Sequence, residues 1–327
     1  MSHVGGENPS EMKSSISLHE LESKYASPDA DIPADFLRRL RRDPRKGARR
    51  LSAKLTKRQE KARLEGERVN AMFRFERELW AGGVSRVAGV DEVGIGPMAG
   101  PVVAAAVVFE QGVAIPGVDD SKRLEPEVRE DLDTDIRSRA VAVHVGVVET
   151  PEVDRLNVYH AGLLAMHRAV IGLSPRPEHV LVDARTIPDL PIPQDGLVGG
   201  DRRSFSIAAA SIVAKVHRDR LMVKLDREYP GYGFARHKGY CSPEHQKAVQ
   251  ELGPCPVHRH SLDFIRELRG EYDQAFYRLK QAVSQLRTRA GYEEWDAELV
   301  NARERLSPTA RRKLRALAAR RREQVGW

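Results

Sequence analysis

The chain has 327 residues, of which 41% are hydrophobic and 31% are charged, and this length allows one large domain or two ordinary ones. No apolar run reaches membrane-spanning length and the polar N-terminus lacks the apolar segment of a signal peptide, so we expect no membrane association. The net charge of +7 favours a polyanionic partner. Two cysteines, Cys241 and Cys255, form neither a disulfide framework nor a metal-type spacing, which indicates a cytoplasmic protein.

Two polar segments precede the central sequence. Residues 1–32 carry scattered Gly, Ser and Pro, and we expect a disordered tail. Residues 33–82 are strongly basic with leucines at roughly helical spacing, which predicts a helical N-terminal extension interrupted near Pro44 and Gly47. Such a charged run is either the solvated face of a helix or an arm that contacts a phosphate backbone. The excess of Arg and Lys over Glu favours the arm.

Residues 83–265 alternate short apolar runs with helical stretches, which is typical of an α/β domain. Strands are expected over residues 86–90, 102–109, 140–148 and 179–182. Helices are expected over residues 154–173, 205–228 and 243–252. Residues 266–327 are again charged and predict a helical C-terminal extension.

The stretch VDEVGIGP joins two acids to a glycine turn at the end of a predicted strand. Asp91 and Glu92 follow the apolar residues of the strand, and Gly94 and Gly96 let the backbone turn sharply and a ligand approach it. Because side chains alternate along a strand, only one of the two acids shares the direction of the core-facing set unless the strand ends there. On its own, the stretch fits an ordinary turn that terminates a strand.

Two further acids change that interpretation. Asp183 ends the apolar run HVLVD, and Asp201 follows a glycine pair just before the helix predicted from residue 205. Each alone fits a cap or turn acid. Four unpaired carboxylates would repel one another at close range, and Mg²⁺ or Mn²⁺ would relieve that repulsion while keeping positions for water and phosphate. Since such centres hydrolyse phosphodiesters, the sequence predicts a nuclease or a polymerase-like enzyme.

The central sequence closely resembles ribonuclease HII, the bacterial type 2 ribonuclease H. The matching stretches occur in family order and are VAGVDEVGIGPMAGPVVAAAVVF, DDSKRL, NVYHAGLLAMHRAV, VLVDAR, GGDRRSFSIAAASIVAKVHRDRL, YPGYGFARHKGY and LGPCPVHRHSLDF. The basic helical segment before them is similar to the N-terminal extension of longer family members. The segment 266–327 matches nothing that we can place.

The resemblance implies a ribonuclease H-like α/β fold, with a mixed five-stranded sheet, flanking helices and a small helical C-terminal part that helps to hold the duplex. It implies a metal-dependent endonuclease that uses Mn²⁺ or Mg²⁺ and hydrolyses the RNA strand of RNA/DNA hybrids. The family also cuts 5′ of ribonucleotides embedded in duplex DNA and leaves 3′-hydroxyl and 5′-phosphate ends. A monomeric, cytoplasmic enzyme of DNA replication and repair is therefore expected.

The resemblance also implies roles for individual residues. The catalytic and metal-holding carboxylates fall on Asp91, Glu92, Asp183 and Asp201. The substrate-binding residues fall on Gly94, Ile95, Gly96, Tyr240 and Lys122. The glycine motif is expected to contact the ribose 2′-hydroxyl and the neighbouring phosphate through its backbone, and the tyrosine to stack against the sugar on the DNA side. The lysine is either a surface residue or a phosphate contact.

Two positions depart from the family pattern. Ile95 stands where arginine is usual, so a guanidinium near the phosphates is missing, and a β-branched residue would be strained if the turn required a positive φ. This departure affects the expected junction preference more than the expected chemistry. Ala184 follows Asp183 where glycine is usual, and we expect that change to be mild.

Other polar residues of the matching stretches have structural interpretations beside the functional ones. Lys215 and Arg218 either line a nucleic-acid face or cover a helix surface. Asp219 is interpreted as structural and paired with Lys215 one helical turn earlier. His237 and His258 are interpreted as structural because hard cations prefer oxygen ligands.

Two alternative functions fit the same sequence. A hybrid-binding protein with weak or lost cleavage is suggested by Ile95 and the basic extensions, although the presence of all four carboxylates argues against it. It predicts salt-sensitive binding without a cut. The second alternative is a ribonuclease H-fold nuclease of other specificity, such as a structure-selective DNA nuclease.

Overall fold

The computed structural model describes residues 17–25 and 32–326. They divide into two units, the first ending at Met72 and the second beginning at Phe73. In the described ranges, no helix is both long enough and apolar enough to cross a membrane.

The first unit is helical and basic. Its helices are α1 (Leu18–Lys24), α2 (Ala34–Arg42) and α3 (Lys46–Met72). Because leucines recur at helical spacing, α2 and α3 pack together through one apolar stripe each. The buried residues of this contact include Leu37, Leu40, Leu51 and Leu55.

Part of the segment predicted to be disordered is helical. Helix α1 lies within residues 1–32, so the prediction of a disordered tail is wrong for Leu18–Lys24. An ion pair of 2.8 Å between Lys54 and Glu22 joins α3 to α1. This contact between segments far apart in the sequence is not visible in the composition on which the prediction rested. Residues 1–16 and 26–31 of the predicted tail lie outside the described residues.

The second unit contains a mixed five-stranded sheet. Its strands are β1 (Val87–Val93), β2 (Val102–Val108), β3 (Ala142–Val148), β4 (His179–Asp183) and β5 (Gln194–Leu197). They lie in the order β3-β2-β1-β4-β5, in which β2 is antiparallel to β1 and β3, and β4 is parallel to β1 and β5. The α/β class and the mixed five-stranded sheet expected from the resemblance are confirmed.

Helices flank this sheet and continue beyond it. They are α4 (Arg74–Ala81), α5 (Pro126–Arg139), α6 (Thr150–Leu156), α7 (Val158–Ile171), α8 (Phe205–Glu228), α9 (Phe234–His237), α10 (Pro243–Leu252), α11 (Asp263–Leu268), α12 (Gln274–Gln285), α13 (Arg289–Asn301) and α14 (Pro308–Val325). The helices predicted over residues 205–228 and 243–252 are confirmed as α8 and α10.

Two elements differ from the sequence-based expectations. The single helix predicted over residues 154–173 is divided into α6 and α7 at Asn157, which has a φ of 67°. Its side chain accepts hydrogen bonds from two amides of the first turn of α7 and so starts a new helix. Strand β5 has the sequence QDGL, which lacks the apolar alternation of a strand, and only its pairing with β4 defines it.

Helices α7 and α8 cover opposite faces of the sheet. The cluster that includes Ala88, Val90 and Met166 lies on the α7 face, and the cluster of Val87 and Leu181 with Ile207 of α8 lies on the other. A Cβ added at Gly89 would lie 2.1 Å from the backbone carbonyl carbon of a residue in the first turn of α8. Glycine at this position therefore allows α8 to begin directly against β1.

A buried carboxylate fixes the start of α8. Glu76 of α4 is 2% exposed, and its Oε1 accepts from the hydroxyl of Ser204 over 2.6 Å and from the amide of Ser206 over 3.0 Å. A negative charge at the positive N-terminal end of a helix is stabilising. This contact places α4 with the sheet, whereas the sequence predicted a boundary between residues 82 and 83.

The last three helices have an apolar core of their own. It includes Phe276, Leu279, Trp295, Leu299 and Leu314. The indole nitrogen of Trp295 donates to the carbonyl of Leu279 over 2.9 Å, so the one polar atom of this large side chain is satisfied. The C-terminal extension predicted over residues 266–327 is thus helical in the described residues.

Two buried histidines form a directed hydrogen-bond chain. The amide of Cys255 donates to Nδ1 of His258 over 3.0 Å, so the proton of that ring lies on Nε2. Nε2 of His258 lies 3.0 Å from Nε2 of His245, which accepts that proton. Nδ1 of His245 then donates to the carbonyl of Tyr240 over 2.9 Å. Both rings are neutral in this arrangement, and His258 is structural, as its sequence context indicates.

We expect acid to destabilise the fold through these two rings. Burial lowers the pKa of His245 and of His258 to about 4, whereas histidine in an unfolded chain titrates near ~6.5. Below that pH the unfolded state binds protons that the folded state does not. The free energy of unfolding should therefore fall as the pH drops from about 6.5 to 4, by roughly 3 kcal/mol for each ring.

Urea unfolding at a series of pH values tests this expectation. The variant His258→Gln keeps a donor and an acceptor but does not titrate, so its stability should fall less steeply than that of the wild type over the same interval. Parallel profiles for the two proteins would contradict the interpretation.

Candidate active site

Two acids lie side by side at the carboxyl ends of neighbouring strands. The parallel pairing of β1 with β4 ends at Val90 and Val182. The next residues are Asp91 and Asp183, which therefore emerge together from the sheet. Strand β1 continues along β2 past Glu92, so both acids of the first stretch lie on a rigid strand and not in the turn that follows it.

The alternation of side chains along β1 directs its two acids to opposite faces. Val87 belongs to the apolar cluster on the α8 face, and Asp91, four residues later, has the same direction. Val90 belongs to the cluster on the α7 face, and Glu92, two residues later, points to the same face. The side chains of Asp91 and Glu92 therefore lie on opposite faces of the sheet at the end of β1.

A tight turn brings the fourth predicted acid to this end of the sheet. The amide of Gly200 donates to Oδ1 of Asp183 over 2.7 Å, and Asp201 follows in the 3-10 turn Gly200–Arg202. A Cβ added at Gly200 would lie 2.6 Å from Ile207 and 3.3 Å from the same carboxylate oxygen. A side chain at this position would therefore crowd Ile207 and the carboxylate of Asp183.

The four carboxylates are close enough for their charges to interact. Burial raises the pKa of Asp91 well above its usual range, and the charges of Glu92, Asp183 and Asp201 raise it further. Burial also raises the pKa of Glu92. Burial and neighbouring acids raise the pKa of Asp201. The structure therefore gathers the four predicted acids at an electrostatic cost.

The carboxylates of these acids are the ligands that a divalent cation prefers, but they are not arranged as a complete binding site. Within the described residues, no group of three or more His, Cys, Asp or Glu is arranged so that it could hold a metal ion. Oδ1 of Asp91 instead accepts from the amide of Glu92 over 2.7 Å. Oε2 of Glu92 is buried and has no hydrogen-bond partner among the described residues, which is costly. An unpaired carboxylate oxygen among like charges fits a hard cation with oxygen ligands.

The segment DDSKRL lies beside the acids. Asp120 caps a short 3-10 turn by accepting from the amide of Lys122 over 3.0 Å. Partial burial alone would lower the pKa of Lys122, but the charges of Asp91, Asp120, Asp201 and Asp183 together raise it. The structure thus brings Lys122 to the acid cluster. It also adds Asp120, which the sequence-based interpretation missed because an acid before a short turn resembles an ordinary cap.

A buried guanidinium holds the glycine turn. Arg259 is 2% exposed and donates to the carbonyl oxygens of Gly94, Ile95 and Gly100. Gly94 has a φ of 95°, the left-handed region that favours glycine. A Cβ at this position would also lie 2.5 Å from Nε of Arg218. The sequence could not identify Arg259 as a buried residue of this turn. Its side chain binds only backbone carbonyls, and no acidic residue at a matching position indicates such contacts.

A second buried arginine ties the turn to the segment of Tyr240. Arg218 donates to the carbonyls of Ala99 over 3.1 Å, Pro101 over 3.0 Å and Lys238 over 3.0 Å. Its guanidinium lies 5.9 Å from the centroid of the Tyr240 ring. Since Arg218 is fully buried, both sequence-based interpretations of it, a nucleic-acid face and a helix surface, are wrong.

Tyr240 lies against the glycine turn. Its Cε1 atom is 3.7 Å from the position that a Cβ would occupy at Gly96. The side chain is 44% exposed, while its carbonyl is held by His245. An exposed ring on a fixed backbone next to a glycine is suited to stacking against a sugar or a base.

The two positions that depart from the family pattern differ in strain. Ile95 does not have a positive φ, so the strain considered for it does not arise. Its side chain packs on the apolar cluster below α7, with Cδ1 3.0 Å from the position of a Cβ on Gly162. Ala184 has a φ of 57°. The expectation that its replacement of glycine is mild is therefore wrong, because a left-handed alanine costs on the order of 1 kcal/mol.

Other polar residues of the matching stretches are structural. Nζ of Lys215 lies 2.6 Å from Oδ1 of Asp219, and Arg129 lies 3.6 Å from the other oxygen of that carboxylate. Asp219 is thus an ion-pair residue, as predicted. Nε2 of His237 lies 2.7 Å from the carbonyl of Tyr232 and is used within the fold.

Comparisons with known proteins identify the family of the chain. The family model described as Ribonuclease HII matches residues 88–265, and the model of the Ribonuclease HII N-terminal domain matches residues 19–80. Ribonuclease HII of Myxococcus xanthus (strain DK1622) is 51% identical over 254 residues, which cover 77% of this chain and 87% of that protein. Ribonuclease HII of Geobacillus thermodenitrificans (strain NG80-2) is 52% identical over 231 residues, or 71% of this chain and 89% of that protein.

A solved structure supports the same assignment. The crystal structure of ribonuclease H2 from Pyrococcus horikoshii OT3 is 26% identical with a TM-score of 0.50, and the match covers 57% of this chain and 98% of that one. The family model alone spans more than half of the sequence, and the relatives share about half of their residues with it. The chain therefore belongs to the ribonuclease HII family and is an endoribonuclease of the ribonuclease H type.

Proposed function

We propose that the catalytic centre of this ribonuclease H consists of Asp91, Glu92, Asp183 and Asp201, and that these carboxylates hold Mn²⁺ or Mg²⁺. Enzymes of the ribonuclease H family depend on divalent metal ions, which supply an activated water and stabilise the leaving oxygen in phosphodiester hydrolysis. The observation that carries the proposal is the buried carboxylate of Asp91, whose pKa is raised by burial and by three neighbouring acids. A hard cation relieves that repulsion with oxygen ligands alone.

Two cations of the chain complement this centre. Lys122 is exposed beside the acids and is suited to contact a phosphate next to the scissile bond. Arg185 lies 3.8 Å from Glu92, and its Nη1 is buried with no hydrogen-bond partner among the described residues. Nη1 of Arg185 and Cδ1 of Ile95 lie 3.8 Å and 3.0 Å from the position of a Cβ on Gly162. Arg185 therefore supplies a guanidinium near Ile95, the position at which the family usually has one.

The ribonucleotide is selected by backbone groups and one ring. The backbone of Gly94, Ile95 and Gly96 contacts the 2′-hydroxyl and the adjacent phosphate, and Tyr240 stacks against the sugar on the DNA side of the junction. Since the 2′-hydroxyl distinguishes RNA from DNA at one nucleotide, this turn accounts for cleavage 5′ of ribonucleotides embedded in duplex DNA as well as in hybrids. The enzyme leaves 3′-hydroxyl and 5′-phosphate ends and acts as a cytoplasmic monomer in ribonucleotide excision.

Removing the charge of Asp91 should abolish cleavage and stabilise the fold. With Mg²⁺ or Mn²⁺, the wild type should nick a labelled duplex at its single embedded ribonucleotide, and Asp91→Asn should lower the rate by at least about 1000-fold. Because the charged form of this side chain is disfavoured by burial and by its neighbours, the same variant should unfold at a higher temperature without metal.

An exposed acid of α5 provides the matched control. Asp131→Asn, which removes one charge from an exposed position, should change neither the cleavage rate nor the melting temperature appreciably. Cleavage by Asp91→Asn at the wild-type rate, or no nick by the wild type with either metal, would refute the assignment.

Arg259 is expected to position the turn that reads the ribonucleotide. Arg259→Lys keeps the charge but cannot reach three carbonyls at once, so the fold should lose roughly 2–3 kcal/mol. The KM for a duplex with one ribonucleotide should rise about tenfold, which corresponds to about 1.4 kcal/mol, while kcat stays within about threefold.

Steady-state kinetics and urea unfolding measure both effects. Arg155→Lys, at a side chain that is 73% exposed, should leave KM unchanged and stability within about 0.5 kcal/mol. Lower stability of Arg259→Lys with an unaltered KM would mean that Arg259 has a structural role only.

Replacing Ile95 by arginine should tighten substrate binding. The added guanidinium can form a charge-assisted hydrogen bond to a phosphate, so Ile95→Arg should lower KM for the embedded ribonucleotide by about tenfold. The matched control Ile95→Met keeps size and polarity and should stay within about twofold of wild type. Equal KM values for the arginine and methionine variants would show that Arg185 already supplies the charge, or that no cation is used there.

A further inference from the structure

The last three helices carry a feature that the family match does not cover. Residues 266–327 lie beyond both matched segments, yet helices α12, α13 and α14 pack around a complete apolar core. They are also fastened to α11, because the hydroxyl of Tyr272 donates to Asp263 over 2.8 Å and Lys313 pairs with Glu267 over 2.5 Å. This bundle is a fixed part of the fold and has a surface of its own.

The positive charge of the chain is concentrated outside the catalytic region. Residues 83–265 contain 21 Lys and Arg against 25 Asp and Glu, so the region that holds the acid cluster is net negative. Residues 303–322 contain nine Lys and Arg and a single acid, Glu304. A polyanion is therefore repelled by one region and attracted by the other.

Four of these cations line one cleft. The cleft lies between the end of α13 and the start of α14 and has a volume of about 480 Å³. Its lining includes Arg303, Arg311, Arg312 and Arg315. In the part of the chain that the structure describes, these four guanidinium groups form no ion pair or side-chain hydrogen bond. We refer to them as the arginine cleft.

The position of the cleft argues that these arginines do not serve the fold. The side chain of Ser307 caps α14, and the first turn of this helix contains no acid. Arg311 ends that turn, where the positive end of the helix dipole disfavours a cation, and Arg312 follows it. Lys313, between them and Arg315 in sequence, is in contrast used in packing through its ion pair with Glu267. Since these guanidinium groups make no ion pair or side-chain hydrogen bond in the described part of the chain, they are available to bind an external anion.

The residues that line the cleft indicate which class of anion it binds. A guanidinium binds phosphate through two parallel hydrogen bonds, and several phosphates at regular spacing are provided by a nucleic-acid strand. Among the described lining residues none is aromatic or acidic, so the cleft has no ring on which an unpaired base could stack. A duplex, whose bases are covered and whose phosphates face outward, fits these groups better than a single strand.

We propose that the arginine cleft binds the phosphate backbone of duplex nucleic acid, as a second contact besides the catalytic centre. The proposal rests on the proposed function only in taking a nucleic acid as the substrate. It assigns to residues 266–327 binding of duplex backbone that does not depend on base sequence. This binding offsets the repulsion of the duplex by the negative charge of the catalytic region. The contact raises affinity for duplexes and does not take part in the cut.

Binding of an all-DNA duplex tests the cleft without any cleavage. Full-length protein in EDTA is titrated against a labelled duplex of about 30 base pairs, without ribonucleotides, over a range of salt concentrations. Arg312→Gln/Arg315→Gln should weaken binding roughly tenfold at low salt and reduce the slope of log K against log salt by about 2. The matched control Arg305→Gln/Arg320→Gln removes two exposed arginines outside the cleft and has the same net charge. It should retain the slope within about 0.5.

Stability, turnover and the choice of polyanion separate a duplex-binding cleft from an effect of net charge and from a protein-binding surface. The cleft variant should keep its melting temperature, because its cations stabilise nothing in the fold, and should keep kcat on a saturating ribonucleotide substrate. Equal losses for the two double variants would overturn the proposal, since only net charge would then matter. Tighter binding of polyglutamate than of duplex, lost in the cleft variant alone, would overturn it in favour of an acidic protein partner. Failure of Asp91→Asn to abolish cleavage would affect the catalytic assignment and not this result.

Discussion

A carboxylate buried beside other carboxylates is the constraint around which this protein is organised. Asp91 is 8% exposed, and its charge is opposed by burial and by the acids that reach the same end of the sheet. The fold tolerates this because β1 stays paired with β2 past both of its acids, and because α8 is anchored at Glu76 close to the turn of Asp201. A rigid frame holds the repelling groups together, and the affinity for a divalent cation that we propose follows from that enforced proximity.

The glycine turn, which we propose to recognise the ribonucleotide, is held in a different way, because the buried charges beside it are guanidinium groups bound to neutral carbonyls. Arg259 and Arg218 are buried and donate only to backbone carbonyls of the turn and its neighbours. Neither guanidinium pairs with a carboxylate of the described residues, so neither neutralises the acid cluster. The two histidines behind Tyr240 hold its backbone in the same neutral manner. The groups proposed to read the ribose are thus positioned independently of the groups proposed to hold the metal.

Charge is also divided along the chain. The region that contains the acids is net negative, whereas the basic residues are concentrated in the segments before and after it. An enzyme with an acidic centre must still attract a polyanion, and the basic segments outside that region provide long-range attraction in addition to Lys122 and Arg185 beside the acids. At the C-terminal end, the proposed arginine cleft is the specific site at which these basic residues would bind the polyanion.

The sequence alone determined the fold class and singled out the four acids, the glycine turn and Tyr240 as candidates, because short motifs at the ends of apolar runs are local signals and resemble one family. It also determined the pairing of Lys215 with Asp219, which lies within one helical turn. Only the tertiary structure decided the roles of Arg218, Arg259, Asp120 and Glu76, whose partners are distant in the sequence or are backbone carbonyls that no pattern marks. The same holds for strand β5, defined by its pairing alone, and for the strained φ of Ala184. Local spacing reveals which residues can do chemistry, but long-range packing determines which polar groups are buried and what each of them binds.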